Sequence, residues 1–239
     1  MKVIALGDIH GNLPALEVAL REARAEGCDL MVHTGDLAGY APFPLETVAL
    51  VRSQRLRGVR GNVDASLSAE AEEFGPCSDS PETGAFQRRA YAWTLGRIDR
   101  FTRTYLGDLP FEDRFDAGNR RAVVMHGTPV DAYTALGEDR DDDFFRDMGD
   151  LAGADIVIVG HTHRPYHRVV DGRHFVNAGS VGFPRDGDPR TGYAVIKTNG
   201  NIEVHFRRFP YDVNRLLREA ARRRFPDGAD GIYRSAPGG

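Results

Sequence analysis

Cysteine is scarce in this chain: Cys28 and Cys77 are the only two among 239 residues. Two thiols cannot form the framework of several disulfides that holds small secreted domains together. We therefore expect both cysteines to be reduced thiols in a cytoplasmic protein. With so few thiols, a metal site would have to use nitrogen and oxygen ligands.

Long apolar runs are also lacking. The apolar stretch at residues 3–6 is too short for the core of a signal peptide, and no segment approaches the roughly 18–20 apolar residues of a membrane helix. The formal net charge is only -4, so composition gives no general attraction to nucleic acid or to an anionic membrane. We expect one domain over residues 1–239 and no membrane partner.

Short apolar runs and helical spacings alternate over the first quarter of the sequence. The runs are typical of buried strands, because a glycine follows each of them closely: residues 2–6, 30–33 and 56–60. Apolar residues at helical spacing lie between the runs, at residues 14–27 and 44–54. This alternation predicts parallel strands joined by crossover helices.

The rest of the sequence predicts a cap and then hairpins. Residues 65–110 are less regular and predict a mainly helical cap, in which residues 82–106 are mostly helical. Turn signals flanked by strands follow at Gly118-Asn119, Asp171-Gly172 and Asn199-Gly200. The whole pattern predicts an α/β fold of four layers, in which two mixed β-sheets pack as a sandwich with helices outside.

Five polar clusters share one position in this pattern, because each directly follows a predicted strand. They contain Asp8 and His10, Asp36, Asn62, His126, and His161 and His163. Ligand sites of open α/β sheets form outside the carboxyl ends of strands, so we expect the clusters to converge. The i, i+2 pairs Asp8/His10 and His161/His163 would each point one way in extended backbone and could reach one metal.

The seven side chains offer four imidazoles, two carboxylates and one amide. That is more than one ion needs and suits two divalent ions that share a carboxylate. Nitrogen and oxygen donors without sulfur favour Mn, Fe, Zn or Ni over Ca or Mg. We expect two Mn²⁺ ions, with Fe, Zn and Ni as alternatives.

At these residues the sequence resembles the calcineurin-like metallophosphoesterases, in particular their small prokaryotic phosphodiesterases. The motifs occur in the family's order: Asp8-x-His10, Gly35-Asp36, Gly61-Asn62-Val63-Asp64, His126 and Gly160-His161-x-His163. The resemblance implies one ion on Asp8, His10 and His163, and a second on Asn62, His126 and His161. It further implies that Asp36 bridges the ions, that a bridging hydroxide attacks phosphorus, and that Asn62 orients the phosphoryl oxygens.

One position departs from the family pattern. Many members carry a histidine where this chain has Val63, and that histidine is thought to protonate the leaving group. General acid help is typically worth about 10²–10⁴-fold. The departure favours a phosphodiester substrate, as in the small prokaryotic phosphodiesterases, which often lack this histidine.

Several other functions stay open at this stage. Within the enzymes, the substrate could be a phosphomonoester, a phosphoprotein or a dinucleoside polyphosphate. A non-catalytic scaffold of the same fold is a further alternative, against which the seven intact donors argue. A nuclease is disfavoured, because the arginine clusters at residues 52–60 and 207–224 show no interleaved aromatics at a recognisable spacing.

Four more residues are predicted to act beside the ligands. Arg185 and Ser180 lie in a glycine-rich loop and are predicted to contact substrate, since a guanidinium can fork onto phosphate oxygens; a plain turn is the competing interpretation. Asp64 and Asn12 are predicted to orient the ligands without binding metal themselves. We expect a small phosphoester or nucleotide-type substrate, and we leave open whether the chain forms a homo-oligomer.

Overall fold

The computed structural model describes residues 1–75 and 80–236, and this part of the chain contains ten strands. They are β1 (Lys2–Leu6), β2 (Leu30–His33), β3 (Arg57–Gly58), β4 (Glu112–Ala117), β5 (Arg120–Met125), β6 (Ile156–Val159), β7 (Tyr166–Val170), β8 (Arg173–Asn177), β9 (Thr191–Lys197) and β10 (Glu203–Phe209). They form two five-stranded sheets, in the orders β10-β9-β1-β2-β3 and β4-β5-β6-β8-β7. Both sheets are mixed. In the first sheet β1, β2 and β3 are parallel, and β9 pairs antiparallel with β1 and β10. In the second sheet β5, β6 and β8 are parallel, and the edge strands β4 and β7 are antiparallel to their neighbours.

Eight helices complete the described part of the chain. They are α1 (Leu13–Glu26), α2 (Pro44–Ser53), α3 (Asn62–Ser68), α4 (Pro81–Leu95), α5 (Arg100–Asp108), α6 (Asp142–Ala152), α7 (Val213–Arg222) and α8 (Ala229–Ser235). None of these helices has the length and apolar character needed to cross a membrane.

Three apolar clusters hold the layers together. Strand β1 shows how: Val3 and Ala5 face the second sheet, whereas Ile4 and Leu6 face the helices, because successive side chains of a strand point to opposite sides. A third cluster packs α6 through Phe145 against the outer face of the second sheet. The layers are therefore helix, sheet, sheet and helix, which confirms the predicted four-layer α/β sandwich.

The helices that follow β3 differ from the prediction in one place. The stretch predicted to be mostly helical, residues 82–106, is formed by two helices, since α4 ends at Gly96 and the Asp99 carboxylate begins α5 by accepting a hydrogen bond from the Thr102 N–H (2.7 Å). Helix α3 was not predicted; it begins at Asn62. Cys28 is a free thiol, as predicted, and Cys77 lies outside the described residues.

Gly7 marks the closest approach of β1 to the loop after β8. A Cβ built on Gly7 would lie 1.9 Å from the Gly179 carbonyl oxygen, so only glycine fits there. We expect Gly7→Ala to lower the free energy of unfolding by several kcal/mol, because backbone must move to accept the methyl group.

The matched control is Gly231→Ala, in the exposed part of α8, where a Cβ would meet nothing within 4 Å. Alanine favours a helix over glycine by about 1 kcal/mol, so this variant should be neutral or slightly stabilised. Urea denaturation of the two variants measures the difference. Equal unfolding midpoints would contradict the close packing of Gly7.

Candidate metal centre

The structure brings all seven predicted donor residues together at the carboxyl ends of strands from both sheets. Asp8 follows β1, Asp36 follows β2, and Asn62 begins α3 directly after β3. His10 also follows β1, His126 follows β5, and His161 and His163 follow β6. Six of the seven side chains are buried, and His161 is partly exposed.

One group of donors contains Asp8, His10 and His163. One ligand atom from each of them lies within 4.8 Å of the others, and the Nε2 atoms of the two histidines are 3.0 Å apart. Nδ1 of His163 donates to the Phe183 carbonyl (2.6 Å), which fixes Nε2 as the nitrogen that presents its lone pair to the group.

A second group contains Asn62, His126 and His161. The Asn62 amide donates from Nδ2 to the Phe74 carbonyl (2.6 Å), and His126 donates from Nδ1 to the Thr34 carbonyl (2.8 Å). Asn62 Oδ1 and His126 Nε2 therefore both present lone pairs, yet they lie 2.8 Å apart. His161 Nδ1 is close to both, at 2.9 and 3.0 Å.

Two acceptors that face each other in this way have no hydrogen between them. Such a contact is unfavourable in a buried site unless a positive charge lies between the lone pairs. Imidazole nitrogen and amide oxygen are ordinary ligands of divalent transition metals. The donor set therefore fits a bound cation.

Asp36 lies between the two groups. Its Oδ2 is 3.6 Å from His10 Nε2 in one group and 3.6 Å from His126 Nε2 in the other. Its Oδ1 accepts a hydrogen bond from the Val63 N–H (2.9 Å). A Cβ on Gly61 would lie only 2.0 Å from this Oδ1, so the glycine of the motif is what leaves space for the carboxylate.

The backbone at the ligands is not extended, and this part of the prediction is wrong. His10, His161 and His163 all have positive φ, of 49°, 66° and 61°, in the left-handed region that non-glycine residues rarely adopt. As a result His161 and His163 diverge, and each joins a different group of donors. Because of these left-handed turns, the short loop after β6 provides one donor to each group.

Burial dominates the titration of these groups. It raises the pKa of Asp36 to about 7, and burial together with the charge of Asp36 raises that of Asp8. Burial lowers the pKa of His126 to about 4, and burial together with the charge of His126 lowers that of His161 to about 3. The imidazoles are thus neutral near pH 7, whereas full ionisation of the carboxyl groups at that pH requires positive charge nearby.

The residues predicted to support the ligands have different roles. Asp64 accepts from the Leu37 N–H (2.9 Å) and the Gly61 N–H (3.3 Å), so it ties together the loops that carry Asp36 and Asn62. Asn12 caps α1, where its Oδ1 accepts from the Ala15 N–H.

Ser180 is not placed to contact substrate. It is buried, and its hydroxyl donates to the Asp8 carbonyl (2.7 Å) and accepts from the Phe183 N–H (2.8 Å). These two hydrogen bonds connect the loop of Asp8 to the loop of Phe183. His167 and His174, in the hairpin of β7 and β8, are partly buried and stacked on each other (ring centroids 5.1 Å apart).

A cleft of about 800 Å³ opens over the donors. Besides four of them, it is lined by residues that include Tyr40, Gln87, Tyr133, Arg140, Arg164 and Arg185. Of these the sequence predicted only Arg185. Arg164 directly follows His163 and so had a positional signal. Gln87 in α4, and Tyr133 and Arg140 in loops, belong to no motif.

The fold and the clustered donors define the class of a metal-binding α/β sandwich, and comparison with known proteins agrees with this fold. The sequence profile of the calcineurin-like phosphoesterase superfamily domain matches residues 1–201. An uncharacterised protein of Methanocaldococcus jannaschii is 26% identical over 94% of both chains. A metallophosphoesterase from Sphaerobacter thermophilus has a similar structure (TM-score 0.79, 26% identity, 99% of both chains), as does a hypothetical protein from Pyrococcus horikoshii (TM-score 0.84, 19% identity, 100% and 99%).

The chain belongs to the calcineurin-like phosphoesterase superfamily. Membership confirms the resemblance found in the sequence and supports a metal-dependent phosphoester hydrolase. The clustered carboxylate and imidazole groups agree with divalent metal ions as its cofactors.

Asp36→Asn should raise the stability of the metal-free protein at pH 8 and weaken metal binding. Because burial raises the folded-state pKa of Asp36 to about 7 from an ordinary 3.8, the metal-free wild type loses stability as pH rises from about 4 to 7. At pH 8 the metal-free variant should be more stable than the wild type by a few kcal/mol, at about 1.4 kcal/mol per pH unit.

Urea denaturation of chelator-treated proteins at pH 5 and pH 8 measures this difference. The advantage of the variant should shrink at pH 5, where the wild-type carboxyl is protonated. Metal analysis of the same samples after reloading should show less bound metal in the variant. A metal-free variant that is less stable than the wild type at pH 8 would refute the interpretation.

Proposed function

We propose that this chain hydrolyses phosphodiesters at a centre of two divalent metal ions, with Mn²⁺ as the expected metal. The observation that carries the proposal is the position of Asp36 Oδ2, which is 3.6 Å from an imidazole nitrogen of each donor group. Asp8, His10 and His163 would hold one ion, and Asn62, His126 and His161 the other. When bound, such a pair supplies Lewis acidity and lowers the pKa of water, so that a nucleophile exists near neutral pH.

Asn62 is proposed to orient the substrate as well as to bind metal. Its amide is fixed by the hydrogen bond from Nδ2 to the Phe74 carbonyl, and it lines the cleft. An amide nitrogen carries two hydrogens. The second can donate to a phosphoryl oxygen without disturbing the orientation that presents Oδ1 to the donor group.

Arg185 is proposed to bind the phosphate. It lines the cleft, and its positive charge contributes to lowering the pKa of both His161 and His163. A guanidinium binds phosphate oxygens through two parallel hydrogen bonds, so Arg185 suits an anionic phosphoester.

The preference for a diester rests on Val63. Its side chain is fully buried in an apolar cluster and packs beside Gly39, away from the cleft lining. It can neither donate a proton nor reach the substrate. Substrates that depend least on protonation of the leaving group are therefore favoured, and the cleft volume suits a small or nucleotide-sized phosphoester.

The first experiment compares bis-p-nitrophenyl phosphate with p-nitrophenyl phosphate. Chelator-stripped protein should be inactive on both, and Mn²⁺ should restore hydrolysis with the larger kcat/KM on the diester. Asp36→Ala should bind less metal and lose turnover. A folded wild type that binds no divalent ion and hydrolyses neither ester would instead point to the non-catalytic scaffold.

Val63→His tests whether a histidine at residue 63 could act as the missing general acid. Because the side chain is buried, the imidazole should not reach the cleft, and an unpaired polar group in this cluster should cost about 1–3 kcal/mol of stability. Hydrolysis of alkyl phosphomonoesters should not increase. Val63→Ala is the control for lost packing; a stable Val63→His protein with a raised kcat on monoesters would show that the position does face the substrate.

A further inference from the structure

The orientation of the His10 ring depends on an aromatic neighbour. The imidazole stacks on Tyr40, with ring centroids 4.3 Å apart and an interplanar angle of 21°. Its edge meets Phe183 at 6.1 Å, and its Nε2 faces the donor group. The ring is fully buried, so packing against these two aromatic side chains restricts its direction.

Tyr40 is held in turn from outside the sheets. Its carbonyl oxygen accepts a hydrogen bond from the Tyr233 hydroxyl (2.5 Å), which comes from α8. The preceding carbonyl, of Gly39, accepts from Thr94 Oγ1 (2.6 Å) in α4. The loop behind His10 is therefore fixed by a helix of the cap and by the last helix of the described chain.

Loop and ligand are in close contact, so a shift of one moves the other. Gly39 has φ of 141°, and a Cβ there would lie 2.9 Å from His10 Nδ1. The Ala41 N–H also donates to the His10 carbonyl (2.8 Å). No space separates the loop from the imidazole, and displacement of Tyr40 would be transmitted to the ring.

We propose that α8, through the Tyr233 hydroxyl and the Tyr40 ring, positions His10 for the ion it holds with Asp8 and His163. The inference rests on the proposed function, because it assigns a positioning role toward that metal centre. The supporting helix lies at residues 229–235, beyond the 1–201 matched by the superfamily profile. The C-terminal segment thereby sets the affinity of one of the two metal positions.

Calorimetric titration of chelator-stripped protein with Mn²⁺ tests the proposal. The wild type should bind two ions, and Tyr40→Leu should weaken one of the two by about 10–100-fold, as loss of a residue that orients a ligand commonly does. Tyr233→Phe removes only a hydroxyl and should weaken the same ion by a smaller factor. Tyr40→Phe keeps the stacked ring and should bind both ions nearly as the wild type does.

The matched control is Tyr193→Phe, because the Tyr193 hydroxyl is buried without a hydrogen-bond partner. It should bind both ions as the wild type does. A purely structural role would lower the melting temperature of Tyr233→Phe and Tyr40→Leu while leaving both affinities unchanged, and that result overturns the inference alone. A folded wild type that binds no Mn²⁺ overturns the inference and the proposed function together.

Discussion

The contact between Asn62 Oδ1 and His126 Nε2 is the constraint around which the centre is organised. Each atom is turned toward the other by a hydrogen bond on its far side, to Phe74 and Thr34 respectively, so the 2.8 Å approach brings lone pair against lone pair. This contact does not stabilise the fold by itself. A bound cation would replace the unfavourable contact between lone pairs with metal–ligand bonds. The two-sheet sandwich makes this centre possible, because it places donors from both sheets at one edge.

Space for the carboxylates is the second requirement, and glycine supplies it. A Cβ on Gly61 would lie 2.0 Å from Asp36 Oδ1, and one on Gly160 would lie 2.5 Å from Asp8 Oδ2. In the sequence these glycines served only as signs that a strand ends. The structure gives them a further role: each is small because a carboxylate packs directly against it.

The sequence was sufficient to predict the four-layer fold and the convergence of seven donors, because both follow from apolar strands with polar residues at their carboxyl ends. It was not sufficient for the left-handed turns at His10, His161 and His163, since periodicity carries no information on φ. Helix α3 was missed because its first residue, Asn62, is also one of the predicted donors. Tyr40 and Tyr133 reach the cleft through tertiary packing, for which a single sequence has no local signal.

The burial of Val63 and the position of Arg185 bear on the same question, which is how charge is handled in the proposed reaction. Without a histidine at residue 63, developing negative charge on the leaving group has no proton donor from that position. Fixed positive charge near the phosphoryl group is usually the larger contribution to phosphoryl transfer, and Arg185 adds such charge beside His161 and His163. An enzyme arranged in this way depends on electrostatic stabilisation more than on proton transfer, so the pKa of the leaving group should govern which phosphoesters it hydrolyses.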